Sequence, residues 1–109
     1  MTTAPIRIFI VDDSALVRRS LTEIISREPG FKVIGSAEDP IAAERKMQPE
    51  WPDVIFLDVE MSKMDGITFL TKIMRERPTP VIICSSLAGK SQELTMRAFS
   101  LGAVEVLAK

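Results

Sequence analysis

Residues 6–30 read IRIFIVDDSALVRRSLTEIISREPG, and this stretch decides the fold. Its first six residues, Ile6-Arg7-Ile8-Phe9-Ile10-Val11, form a β-branched and aromatic run that predicts a largely buried strand. The run stops at Asp12-Asp13. Residues 14–27 then place Leu16, Val17, Leu21, Ile24 and Ile25 on one helical face, with Arg18, Arg19, Glu23 and Arg27 away from it. Glu28-Pro29-Gly30 ends the helix, because proline disfavours helix before it and glycine permits a reversal. The same unit recurs down the chain. Residues 31–37 predict a second strand, and residues 40–47 a helix with Pro40 in its first turn. Residues 54–57 predict a third strand that stops at Asp58, and residues 67–77 a helix with Leu70, Ile73 and Met74 inward. Residues 81–84 predict a fourth strand, residues 91–101 another helix, and residues 104–107 a fifth strand after Gly102.

The pattern is βαβαβαβαβ in a chain of 109 residues, which suits one domain. Nearly continuous Val/Ile strands, buried on both faces, indicate a parallel sheet covered by helices. Right-handed crossovers then favour a doubly wound α/β fold, a five-stranded parallel sheet in the flavodoxin-like order 2-1-3-4-5. No repeat, linker or low-complexity segment interrupts it.

Composition removes whole classes of chemistry. Lys plus Arg is 14 and Asp plus Glu is 15, a net charge of −1, which argues against direct nucleic-acid or membrane-surface binding. Apolar residues at 46% and charged residues at 27% are ordinary for a soluble globular domain. There is no histidine, which excludes a Ser-His triad, a His-liganded zinc site and a His base within the chain. The single cysteine, Cys84, excludes an internal disulfide and reads as a buried small hydrophobe. No signal peptide or spanning segment is visible, so a cytoplasmic location is expected.

In a doubly wound sheet, ligands sit at the carboxyl ends of the strands where the strand order reverses, here between strands 1 and 3. Asp12-Asp13 ends strand 1, Asp58 ends strand 3 with Glu60 just beyond, Ser85-Ser86 ends strand 4 and Lys109 follows strand 5. Each has a plain alternative. Asp13 or Ser14 suits a helix N-cap, Asp58 a loop entry, Ser85 another cap, and Lys109 a solvated surface charge. The methionines, Phe9, Phe56 and Phe69 read as core filler.

The coincidence of so many acids is harder to set aside. Two like charges about 4 Å apart repel by about 4 kcal/mol at an effective dielectric near 20, so a cluster calls for a cation. Magnesium fits, since it takes oxygen ligands, keeps several waters and uses one or two carboxylates. With neither histidine nor a phosphate-cradling glycine loop, the remaining nucleophile toward phosphorus is a carboxylate. A lysine and a hydroxyl would neutralise and hydrogen-bond phosphoryl oxygens.

Taken together, Asp12-Asp13-Ser14, Asp58-Val59-Glu60-Met61, Met64-Asp65-Gly66, Ser85-Ser86 and Lys109 strongly resemble the receiver domain of two-component response regulators. The resemblance runs from Ile6 to Lys109. It implies that Asp58 is the phosphoacceptor, charged by a sensor histidine kinase. It further implies that Asp13 ligates magnesium (or manganese) directly, Asp12 through water, and Asp58 and the Glu60 backbone carbonyl alongside them. Ser85 takes the position of the switch hydroxyl and Lys109 that of the phosphate-binding lysine, with Ser86 and Val106 on the switch surface. Residues 77–87, RPTPVIICSSL, and Gly102-Ala103-Val104-Glu105 resemble more narrowly the receivers of chemotaxis protein-glutamate methylesterases. In those proteins the receiver controls a C-terminal esterase domain.

Three departures stand against the receiver pattern. Ser62 replaces the usual proline, Val106 the usual switch aromatic, and the helix expected after Lys109 is missing. Residues 1–109 are therefore expected to be the N-terminal receiver of a longer protein. Apolar surface beside the first helix should be left open, with dimerisation as the expected consequence. Two alternatives carry different features: a magnesium-dependent aspartyl-phosphate phosphatase would want Asp-x-Asp after strand 1 and a cap, and a flavin or nucleotide carrier would want a phosphate loop there.

Overall fold

A computed structural model describes residues 4–58, 66–85 and 96–108. Its elements follow in the order β1 (Ile6–Val11), α1 (Ala15–Ser26), β2 (Phe31–Ala37), α2 (Pro40–Met47), β3 (Val54–Asp58), α3 (Gly66–Glu76), β4 (Val81–Ser85) and β5 (Glu105–Ala108). Residues 96–100 are helical between β4 and β5. The strands form one parallel sheet in the order β2-β1-β3-β4-β5, as the crossover rules predict.

Alternation along each strand feeds two apolar layers. Phe9 and Val11 of β1, Ile55 and Leu57 of β3, and Val81 and Ile83 of β4 meet Ala43 and Met47 of α2 and Phe69, Leu70 and Ile73 of α3. Ala98 and Ala103 close that layer. On the opposite face Ile8, Ile10, Phe56 and Cys84 meet Ile25 of α1. The second layer is the smaller. Phe9, Phe56, Phe69, Met47 and Cys84 are buried as predicted, but Met96 is exposed.

The α1 stripe is narrower than its sequence pattern predicts. Ile25 is buried and Val17 and Leu21 half-buried, a single i, i+4 row, whereas Leu16 is 71% and Ile24 57% exposed. One row suffices because α1 meets the sheet along one ridge. Two glycines matter locally. A Cβ on Gly35 would stand 3.0 Å from the Phe9 ring, where the β1–β2 register shifts. Gly102, at φ +112°, turns the chain into β5.

Three strands end one residue later than the pattern predicts. Asp58 stays in the ladder opposite Cys84, and Ser85 pairs with Ala108. A charged residue can hold the last rung of a strand because only its backbone is paired there.

Candidate functional site

The register alone explains why the acids converge. Val11 of β1 pairs with Leu57 of β3, so Asp12 and Asp58 follow at the same level on neighbouring strands. Parallel strands lie about 4.8 Å apart, and alternation gives residues 10 and 12 the same face as residues 56 and 58. Both side chains are 1% exposed. Asp13 turns outward and is exposed, yet one carboxylate oxygen from each of Asp12, Asp13 and Asp58 lies within 4.8 Å of the other two.

The loop carrying the first two acids is tightly bonded. The Asp12 N–H extends the β1–β2 ladder by donating to Ala37 O at 3.1 Å. The Ser14 N–H donates to Asp12 Oδ1 at 2.9 Å, and Ser14 Oγ accepts from the Val17 N–H at 3.3 Å as the N-cap of α1. The capping role thus falls to Ser14, leaving Asp13 clear to face the cluster. Arg18 Nη1 donates to Asp12 O at 2.7 Å. Sequence periodicity shows Arg18 only as a solvent-side helical charge; nothing in the spacing announces a bond back to the strand end.

The remaining predicted residues divide by position. Ser85 ends β4, one rung beyond the level of Asp58, and Val106 sits in β5 opposite Ile83. Glu60, Ser62, Ser86 and Lys109 lie outside the described residues. The cap of α2 is not singled out in the sequence reading: Asp39, 6% exposed, accepts from the Ala42 N–H at 2.8 Å to start that helix.

Three oxygen ligands, two of them buried, suit a hard divalent cation. An octahedron with bonds of 2.0–2.1 Å sets oxygen–oxygen separations of roughly 2.9 to 4.2 Å, close to the spread of this cluster. The donor set contains neither sulfur nor imidazole, which disfavours zinc and copper.

Comparison with known proteins agrees with this geometry. The family model described as the response regulator receiver domain matches residues 8–109. The protein-glutamate methylesterase/protein-glutamine glutaminase 3 of Leptospira interrogans (strain Fiocruz L1-130) is 57% identical over 104 residues, 95% of this chain and 30% of the relative. Protein-glutamate methylesterase/protein-glutamine glutaminase 1 of Pseudomonas savastanoi pv. phaseolicola is 56% identical over 109 residues, 100% of this chain and 30% of the relative. The chain thus spans under a third of the length of these curated relatives. Among solved structures, the response regulator domain of Thermotoga maritima CheB superposes with a TM-score of 0.87 at 42% identity, covering 96% of this chain and 78% of that one. The CheX–CheY–BeF3–Mg2+ complex from Borrelia burgdorferi gives 0.84 at 35% identity, covering 97% and 79%. These matches select the receiver over the phosphatase and the flavin carrier, and the chain belongs to the response regulator receiver domains, of the CheB type.

Proposed function

We propose that this domain accepts a phosphoryl group on Asp58 from the phosphohistidine of a sensor kinase and passes the change to an output domain. The observation that carries the reading is the convergence of Asp12, Asp13 and Asp58, two of them buried, at the carboxyl edge between β1 and β3. The magnesium and beryllofluoride of the Borrelia complex, on a related fold, support the same assignment.

Asp58 is the buried carboxylate on the central strand, and it is the nucleophile in this reading. One of its oxygens forms the new O–P bond as the N–P bond of the donor breaks, and the donor imidazole leaves. Asp12 and Asp13, with the Glu60 carbonyl, would hold magnesium beside it. When bound, the cation neutralises carboxylate and phosphoryl oxygens that otherwise repel one another. Ser85, at the end of the adjacent strand, is the hydroxyl for a phosphoryl oxygen, and Lys109, next after β5, supplies its countercharge. Acceptance is then a matter of positioning and charge neutralisation rather than of a separate base. These 109 residues contain no histidine, so the donor histidine lies outside them.

The methylesterase relatives point to the output. In this reading residues 1–109 are the N-terminal receiver of a longer chemotaxis regulator whose C-terminal domain is a methylesterase, working in the cytoplasm. Phosphorylation would bias the face of strand 4, the helix after it and strand 5, the switch surface to which the receiver resemblance assigns Ser86 and Val106. Among the described residues no helix is long and apolar enough to cross a membrane. The exposed Leu16 and Ile24 give the isolated domain a surface for self-association.

The test is intact-mass spectrometry after incubation with acetyl phosphate and magnesium. The wild-type domain should gain one phosphoryl group that hydroxylamine removes, and Asp58→Asn should gain none. A phosphoryl group retained in Asp58→Asn contradicts the assignment.

A further inference from the structure

The backbone at the end of β1 gives Arg18 a task. Asp12 N–H makes the last β1–β2 rung by donating to Ala37 O at 3.1 Å, and β2 ends at Ala37. In a parallel ladder the N–H and C=O of one residue face the same neighbouring strand, so the Asp12 carbonyl points where β2 has just ended. Its donor comes instead from the second turn of α1: Arg18 Nη1 reaches Asp12 O at 2.7 Å in a part-buried setting. That is a short, charge-assisted bond.

Its consequence follows from peptide planarity. Asp12 C=O and Asp13 N–H belong to one rigid plane, so fixing the oxygen fixes the link about which the two carboxylates splay. Asp12 is anchored again on its side chain, where Oδ1 accepts the Ser14 N–H at 2.9 Å. We propose that Arg18 is a positioning residue for the cation site, holding the Asp12–Asp13 peptide so that both carboxylates stay within reach of Asp58. The inference rests on the cation-site reading above.

Charge and positioning predict opposite signs, which makes the idea testable. A guanidinium beside the site repels a divalent ion, so loss of charge alone would tighten cation binding. Loss of positioning would weaken it. Arg19, the exposed neighbour, carries the same charge one residue further along α1 and serves as the control.

Manganese binding should be measured by the electron paramagnetic resonance of the free ion, with folding checked by circular dichroism. Arg18→Ala should bind manganese about tenfold more weakly, the scale on which groups supporting metal ligands act. Arg18→Lys, which keeps a donor, should recover most of that loss, whereas Arg19→Ala should bind as wild type or slightly more tightly. Should Arg18→Ala fail to fold, Arg18→Met, which keeps the stem and loses the donor, takes its place: binding weaker than in Arg19→Ala supports the proposal and equality overturns it. Asp13→Asn separates the two levels. If the wild type binds no manganese, or Asp13→Asn binds it equally, the cation-site reading falls and this inference with it. If Asp13→Asn loses binding while folded Arg18→Ala matches Arg19→Ala, the positioning role alone is overturned.

Discussion

The two ends of the sheet treat charge in opposite ways. At the amino end, unlike charges are paired. Arg7 Nε and Nη2 meet Asp53 Oδ2 and Oδ1 at 3.2 and 3.1 Å, the Arg7 N–H donates to Asp53 Oδ2 at 2.8 Å, and the Asp53 N–H returns a bond to Arg7 O at 2.8 Å. Beside this pair Trp51 Nε1–H donates to Thr79 Oγ1 at 2.8 Å, Thr79 Oγ1–H donates to Arg77 O at 2.8 Å, and the Arg77 guanidinium stacks 4.4 Å from the Trp51 ring centre. At the carboxyl end, three like charges share a space of 4.8 Å. One end is closed by its own side chains; the other gathers carboxylates that, in the reading proposed above, a cation balances. The difference separates what holds the fold from what the fold is for.

Three substitutions sharpen that contrast. The largest effect belongs to Thr79→Val at the amino end, because Thr79 is 5% exposed and the change leaves both Trp51 Nε1–H and Arg77 O without their partner. It should lower stability by about 1.5 kcal/mol in urea unfolding followed by the single tryptophan, since orphaned buried groups cost about 1–3 kcal/mol. An unchanged urea midpoint would show the amino end to be less tightly closed than described.

Asp12→Asn at the carboxyl end should do the reverse. In a chelator-treated sample it keeps the acceptor for the Ser14 N–H while removing one buried like charge, and stability should rise by about 1 kcal/mol. A loss of stability there would mean the cluster is already balanced from within.

The smallest effect is that of Asp53→Asn, since surface pairs contribute little. Hydrogen bonds from Arg7, from its side chain first and its backbone second, hold the Asp53 carboxyl below its ordinary value of 3.8. A depressed carboxylate stabilises the fold above its unfolded value and stops doing so as pH falls through the folded one. Melting curves of Asp53→Asn and wild type should therefore differ slightly at pH 7 and converge as acid protonates the carboxylate, with high salt shrinking the gap. A gap that widens with acid contradicts the pairing.

The sequence made the frame of this contrast legible and left its details hidden. β1, β2 and α2 follow the pattern residue for residue, because β-branched runs and a proline-led helix leave little choice. Asp12, Asp13 and Asp58 could be gathered before any coordinates, since strand order and register alone bring the ends of β1 and β3 together. A polar residue after an apolar run reads as a strand end but is not one here: Asp58 and Ser85 keep their backbone pairing. The fifth strand begins one residue late, after Val104 N–H donates to Val81 O at 3.0 Å with its side chain exposed. Neither the Arg18 bond to Asp12 O nor the Trp51–Thr79–Arg77 chain could be read from spacing. Both join segments whose relative placement is set by tertiary packing.

The central claim, that the carboxyl end is completed by a divalent cation, is tested most directly by unfolding the domain in urea across a magnesium titration, with Trp51 as the reporter. The account predicts a gain for the wild type that reaches about 1.4 kcal/mol at a tenfold excess over the dissociation constant and rises with the logarithm of magnesium concentration beyond it. Asp13→Asn should show none. A wild-type domain that ignores magnesium, or an Asp13→Asn variant that gains as much, would contradict it.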